Sequence, residues 1–278
     1  MIDFIPNIWS ETMLTELKRR YIGIANCLPV DTGDVKGIGC EIKLCGLYNV
    51  GVSDYDSGNG TGTPSNLTNY TKSVLLEQAK CFNFMMDDME KTQVNAGLMK
   101  LALSKATDQL ANLAEQYVYN LCDQTTNAIV AEKVTADNIV DALLSARTAL
   151  FKKQVFHAED IVFEVSPEVA ELIYKAKLTL GDAGEMMENG CIGRFMGSQI
   201  YVTNQIATEL SINGGTSHRC IVRTKRAVAF AEALSEIVAY RPENFFSDAI
   251  KGLHVYGASV IYPNELYRLE IEILSEQE

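Results

Sequence analysis

The chain has 278 residues, 47% of them hydrophobic and 22% charged, with a formal net charge of −12. That balance describes a folded chain with apolar surface for one large core or two lobes and argues against disorder. The acidic surplus excludes a surface whose main task is to hold phosphate backbones, since such faces need an excess of Lys and Arg.

The opening MIDFIPNIWSETMLTELKRR carries Asp3 and Glu11 and no unbroken apolar run, so it reads as neither a signal peptide nor a membrane span. Synthesis and retention in a cytoplasm are the expectation. Residues 1–30 read as an arm in which Phe4, Ile5, Ile8, Trp9, Leu14 and Leu17 seek a surface and Ser10 caps a short helix. Seven cysteines, at 27, 40, 45, 81, 122, 191 and 220, contain no CxxC pair, which suits reduced, mostly buried thiols.

In KGIGCEIKLCGLYNV, residues 36–50, Ile38, Cys40, Ile42 and Leu44 alternate with Glu41 and Lys43, the period-two signature of a strand. Residues 51–71 are rich in Gly, Ser, Asn, Asp and Thr and read as an exposed tip. The apolar VLLEQAKCFNFMM, residues 74–86, then supplies the expected return limb of a long hairpin. A two-stranded ribbon alone is marginal in water, so it needs a partner surface.

The longest helix signal runs from 88 to 122, with Val94, Leu98, Leu101, Leu110, Leu113, Tyr117 and Leu121 at mostly three- and four-residue steps and Asp87 with Glu90 resembling a capping box. Both Leu110 and Leu113 are expected to face inward. After a change of texture at 123–136, the chain alternates between a helix at 137–153, a strand at DIVFEV, and a helix from Pro167 that Ser166 caps. Gly197-Ser198 reads as a turn into a strand at 199–203. The segments EIVAYRPE and KGLHVYGASVIYP are strands expected to pair with each other.

Sites of chemistry are lacking. GNGTG at 58–62 is followed by Pro64 and a polar tip, whereas a phosphate loop opens a helix. Asp54 and Asp56 begin a calcium-like run, but Gly58 and Ser65 occupy positions where such a loop needs other residues. His157, His218 and His254 are far apart, Asp182, Glu185 and Glu188 read as a solvated loop, and no G-x-S-x-G elbow occurs. No catalytic, metal-binding or cofactor-binding residue is expected, and the chain is read as not an enzyme.

Taken together, FIPNIWSETMLTEL, the ribbon followed by FMMDDMEKTQ and a long helix, IGRFMGSQIYVTNQI, and AYRPENFFSDAIKGLHVYGASVIYP resemble the tailed-bacteriophage major capsid proteins of the Hong Kong 97-type fold, in the branch without a cleaved N-terminal domain. The resemblance covers nearly the whole chain. It implies an α+β fold with an N-terminal arm (1–35), an extended β-hairpin loop (36–86), a peripheral domain with a long spine helix (87–129), an α/β axial domain (130–225) and strands returning to the peripheral domain (226–278). The implied function is self-assembly into the icosahedral head shell around a double-stranded DNA genome.

The implied partners are further copies in hexamers and pentamers, a separate scaffolding protein, a portal protein at one vertex, and packaged DNA held without sequence-specific contact. No membrane partner is implied, and the expected location is the virion, assembled in the bacterial host cytoplasm. Trp9, Ile38, Ile42, Leu44, Asp54, Asp56 and Arg194 are the candidate inter-subunit contacts, and Asp3, Glu11 and Glu16 the candidate scaffold contacts. An encapsulin-like nanocompartment shell is the alternative within the fold. A soluble α/β enzyme or ligand-binding protein is the alternative outside it.

Overall fold

A computed structural model describes residues 6–30, 33, 37–47, 69–87, 97–153, 155, 157–176, 190–210, 216–234, 237–244 and 247–273. The first helix, α1 (Pro6–Arg20), begins at a proline, which lacks the N–H that a first helical position would leave unpaired. Ser10 therefore lies inside the helix and does not cap it. Met13, Leu17 and Tyr21 recur every four residues and are buried against the long helix α2 (Gly97–Asp123). Arg20 fixes the approach by donating to Ser104 Oγ at 3.0 Å and pairing with Asp108.

The expected ribbon exists with a different return limb. β2 (Glu41–Leu47) pairs antiparallel with β3 (Asn69–Leu75), from Glu41 opposite Leu75 to Leu47 opposite Asn69. β4 (Gln78–Asp87), assigned from sequence to that limb, instead joins a five-stranded sheet. There its alternate residues Phe82 and Phe84 pack on the main core, a larger apolar surface than a lone ribbon offers. The ribbon's stripe is also less bare than expected. Ile42 and Leu44 are half-buried with Cys40 on a cluster of Val74, Leu76, Ala229, Ala231, Val255 and Ile261 from the same chain, while Ile38 stays 61% exposed. The tip at 48–68, with Asp54 and Asp56, is outside the described residues.

β13 (Ser247–Val260) is the centre of the five-stranded sheet. β4 runs along one edge, β12 (Val238–Tyr240) and β11 (Val228–Leu234) lie in succession on the other, and β1 (Leu28–Val30) is parallel to β11. The expected pairing of EIVAYRPE with KGLHVYGASVIYP is limited to Val238 opposite Lys251; Ala239 and Tyr240 pair with Ile250 and Ala249, which precede the second segment, and that segment pairs chiefly with β11 and β4. Alternation gives β13 two faces. Tyr256 and Ala258 join the core beneath α2, whereas Val255 and Gly257 meet the ribbon. A Cβ on Gly257 would lie 2.0 Å from the Leu75 carbonyl oxygen, so only glycine lets the ribbon backbone cross there.

The described part of α2 begins at Gly97 and Asp87 ends β4; the Asp87 side chain and residues 88–96, including Glu90, are outside the described set, and the expected capping box with them. At 1.5 Å per residue the 27 residues of α2 span about 40 Å. Leu110 is buried, but Leu113 is 40% exposed, correcting the expectation that both face inward. A step of three rotates a side chain about 300° round the axis, enough here to carry it off the buried stripe formed by Leu103, Leu110, Ala114 and Val118.

The second sheet is seven-stranded: β5 (Ala128–Val134), β14 (Leu266–Ile273), β10 (Thr216–Thr224), β6 (Ile161–Val165), β8 (Ser198–Val202) and β7 (Cys191–Phe195) in order, with β9 (Thr208–Leu210) also on β10. Two helices, α3 (Ile139–Lys152) and α4 (Pro167–Lys175), cover one face through Leu143, Ala146, Leu150, Val169 and Ile173. α4 starts as the sequence implies: Ser166 Oγ accepts the Val169 N–H at 3.3 Å. The turn before β8 is Met196–Gly197, and Ser198 is already strand. Sheet membership also departs from the expected division at 129/130 and 225/226. β5 straddles the first boundary, and β14 returns to the seven-stranded sheet instead of the five-stranded one.

The two leucines of α2 give a paired test. Leu110→Asp buries an unpaired charge and is expected to destabilise the folded chain by upwards of about 4 kcal/mol, whereas Leu113→Asp is expected to stay within about 0.5 kcal/mol. Chemical denaturation of both variants measures the difference, and equal losses would contradict the assigned buried stripe.

Candidate functional site

The second face of the seven-stranded sheet carries charge. Because side chains alternate, Phe163 and Val222 face the helices while Glu164 and Arg223 project the other way, diagonal neighbours across the β6–β10 pair. Both are fully buried. Arg223 binds Glu164 through both carboxylate oxygens, Nε to Oε2 at 3.0 Å and Nη2 to Oε1 at 2.8 Å. Its remaining donors reach the turn after α1: Nη2 to the Gly23 carbonyl at 2.6 Å, and Nη1 to the Asn26 carbonyl and Cys27 Sγ, each at 3.2 Å.

The same turn is gripped from α2. Glu115 Oε1 accepts the N–H groups of Ile22 (2.9 Å) and Ile24 (3.0 Å), and Oε2 accepts that of Gly23 (3.0 Å). Close approach requires Gly23, where a Cβ would lie 2.4 Å from the Tyr119 hydroxyl. Asn26 Nδ2 closes the turn on the Ile22 carbonyl at 3.0 Å. Burial raises the Glu115 carboxyl above its ordinary range, against the pull of the three N–H groups. Burial likewise pushes the Cys27 thiol up to about 11, with Arg223 opposing, so this thiol is unreactive at neutral pH. The cluster has no exposed nucleophile. Its arrangement locks α1's exit, α2 and the second sheet into one body.

A second buried contact ties α1's end to the first sheet. Tyr21 donates to Glu232 Oε2 at 2.6 Å, and His254 Nε2 lies 3.2 Å from the same oxygen. His218 is also buried, with Nδ1 3.7 Å from Glu168, and His157 is exposed. Among the described residues, no three His, Cys, Asp or Glu side chains are placed to hold a metal ion. No helix among them is long and apolar enough to cross a membrane.

Apolar side chains exposed around this body are the candidate contact surfaces. Ile38 and Leu75 mark the ribbon root, and Met85, Leu253 and Val238 lie on the part of the first sheet that the ribbon leaves open. Arg194 is exposed on β7 beside the turn at Met196. Glu16 makes an exposed pair with Arg19 at 3.5 Å, and α1 ends in Lys18, Arg19 and Arg20, so the described part of the arm is not purely acidic. The side chains of Trp9 and Glu11, and all of Asp3, are outside the described residues. The structure therefore brings Ile42 and Leu44 together, half-buried, and leaves Ile38 exposed in the turn before β2 and Arg194 exposed on β7. Sequence reading missed Glu115, Glu164 and Arg223. The available signal was a charged residue within two apolar strand runs, IVFEV and CIVRT.

No family model matches the sequence, and no curated protein matches it. Solved structures do. A chain of Mycobacterium phage Che8 is 22% identical, with 98% of each chain covered and a TM-score of 0.63. The capsid of Ralstonia phage GP4 is 10% identical with a TM-score of 0.69, covering 94% of this chain and 91% of that one. A virus-like particle from Pyrococcus furiosus is 12% identical with a TM-score of 0.55, covering 95% of this chain and 98% of that one. At such identities the likeness establishes the fold: α+β, of the type found in Hong Kong 97-type capsid proteins.

The buried cluster yields two tests. Arg223→Leu strands the Glu164 charge and two carbonyls and is expected to cost about 3–5 kcal/mol; adding Glu164→Leu should recover part of that loss. Denaturation of the single and double variants measures the coupling. For Glu115 the sign follows from its raised pKa: the folded state holds the proton more tightly than the unfolded chain. Its contribution is fully present below the ordinary carboxylate pKa and is lost as pH rises through the raised value. Glu115→Gln, neutral throughout, is expected to flatten the stability profile in that window while lowering stability overall, because its amide donor opposes the Gly23 N–H.

Proposed function

We propose that the chain is a major capsid protein that self-assembles into the icosahedral head shell of a tailed double-stranded DNA phage. The observation that carries this reading is the fold shared along almost the full length with chains of phage particles, including the capsid of Ralstonia phage GP4. The surfaces are consistent with it. A body locked by buried charge carries apolar side chains outward at the ribbon root and on the open part of the first sheet, where further copies would cover them. On this reading the lobe of α2 and the five-stranded sheet is the peripheral domain, and the seven-stranded lobe with α3 and α4 is the axial domain. α1 roots the arm, and β2 with β3 forms the base of the extended loop.

Hexamers and pentamers of the chain, a separate scaffolding protein and a portal protein at one vertex follow as proposed partners. The acidic balance limits trapping on nucleic acid during assembly in the host cytoplasm. Packaged DNA with its own counterions would then fill the shell of the virion without sequence-specific contacts. Asp3, Glu11 and Glu16 remain the proposed scaffold contacts, and Trp9, Ile38, Ile42, Leu44, Asp54, Asp56 and Arg194 the proposed contacts between copies.

A nanocompartment shell around protein cargo is the second reading; the likeness to a virus-like particle fits a shell of either content. Electron microscopy of the full chain over a concentration and salt series tests both. Closed shells or five- and six-fold rings are expected. A monomer at every concentration would overturn the shell reading. Nucleic acid within native particles supports the phage head, and a single enclosed protein supports the compartment.

A further inference from the structure

The β7–β8 hairpin turns through two residues, Met196 and Gly197, between the paired Phe195 and Ser198. Both have positive φ, 47° at Met196 and 90° at Gly197, the signature of a type I′ turn. Such turns favour Asn-Gly, and a methionine there is strained against its own Cβ. Among the described residues only Lys133 is another non-glycine with positive φ. Met196 gains no core burial in return, for it is 56% exposed. The turn is nevertheless held rigidly. Arg147 on α3 stacks 4.6 Å over Phe151 and donates Nη2 to the Met196 carbonyl at 3.2 Å, while Nη1 lies 3.8 Å from the Met196 sulfur. On the other side Ser198 donates to the Ala158 carbonyl at 2.8 Å.

Charge is divided about this knob. The sheet order places β7 at an edge and β6 on the far side of β8. Arg194 therefore lies on the edge side of the turn, and Glu159 and Asp160, which lead into β6, on the other. All three are exposed, and among the described residues none makes an ion pair; on the far side Lys225 donates its N–H to the Asp160 carbonyl at 3.1 Å, and Arg226, which feels the Asp160 charge, is paired with Glu265. The rim thus presents Arg194, the knob of Met196 with Arg147 against it, and the carboxylates of Glu159 and Asp160 in that order. A surface with opposite flanks fits a head-to-tail neighbour, because the basic side of one copy meets the acidic side of the next and the same contact repeats round a ring.

We infer that this rim is a heterologous contact between copies of the chain, with Met196 as its apolar anchor and Arg194 facing the neighbour's Glu159 and Asp160. The inference rests on the shell reading and deepens it by assigning one of its surfaces. Strain retained at a solvent-exposed methionine is explained by contact in the assembly, where the thioether is adaptable and becomes buried.

Met196→Asn separates the contact from the turn. Asparagine relieves the positive-φ strain, so the unassembled full chain should melt at the same or a higher temperature, while the concentration needed for shell assembly rises about tenfold, as expected for loss of an interface anchor. Arg194→Glu should weaken assembly and Glu159→Lys with Asp160→Lys should do the same, whereas the combined variant should recover assembly at low salt. If Met196→Asn assembles at the wild-type concentration, or the combined charge reversal assembles no better than either part, the inference is overturned while the shell reading stands. If the wild type forms no shells or rings at all, it is the shell reading that fails.

Discussion

A guanidinium with no solvent contact must find acceptors for every donor it buries, and Arg223 finds them on two elements, which also share an Asn26–Glu164 hydrogen bond at 3.4 Å and the apolar core around Ile24 and Ile221. Glu164 comes from the neighbouring strand; the Gly23 and Asn26 carbonyls come from the turn after α1. That turn can offer its carbonyls to Arg223 only while its N–H groups are satisfied elsewhere, and Glu115 on α2 accepts three of them. Sheet, turn and long helix are therefore mutually required. Well-packed apolar residues can match a buried ion pair in stability, so the physical effect of this cluster lies in its geometry: it admits one seating of the turn.

The rest of the architecture is arranged around that seating. Tyr21, one turn of chain before the cluster, reaches Glu232 in the first sheet, so the exit of α1 is pinned to both sheets within a few residues. The ribbon is attached differently. Its root rests on the first sheet through Ile42, Leu44, Val74 and Leu76 against Ala229, Ala231, Val255 and Ile261, through the bare backbone at Gly257, and through Lys72 Nζ, which donates to the Ile261 carbonyl. On the proposed shell reading, such a body with projections suits a subunit whose neighbours complete its surface, and each contact could stay modest because a closed particle would repeat it many times.

Local signals in the sequence located elements well where periodicity and caps agree. The period-two run at 41–44, the helix at 139–152 and the Ser166–Pro167 start all have causes confined to a few residues. Residues 74–86 read as one limb because the run holds neither Gly nor Pro and its polar residues, Glu77, Gln78, Lys80 and Asn83, are interspersed with apolar ones. Nothing local marks the break at Leu76–Glu77, where the chain leaves one sheet for another; pairing with β13, some 170 residues later, decides it. β14 went unread for the same reason, although LYRLEIEI alternates, since its partners β10 and β5 are set by tertiary packing. The buried cluster was hardest to see. Arg223 and Glu164 are 59 residues apart and Glu115 is 91 residues from Ile24, so each looks in isolation like an ordinary surface charge.

If the chain assembles as proposed, the subunit is folded around its buried charge beforehand and neighbours complete only its projections. Hydrogen exchange of the unassembled and assembled full chain tests this residue by residue. The amides of Ile22, Gly23 and Ile24 should be strongly protected in both states, while those of 41–47 and 69–75 should gain protection on assembly. Fast exchange at 22–24 in the free subunit, or a ribbon equally protected in both states, would contradict the claim.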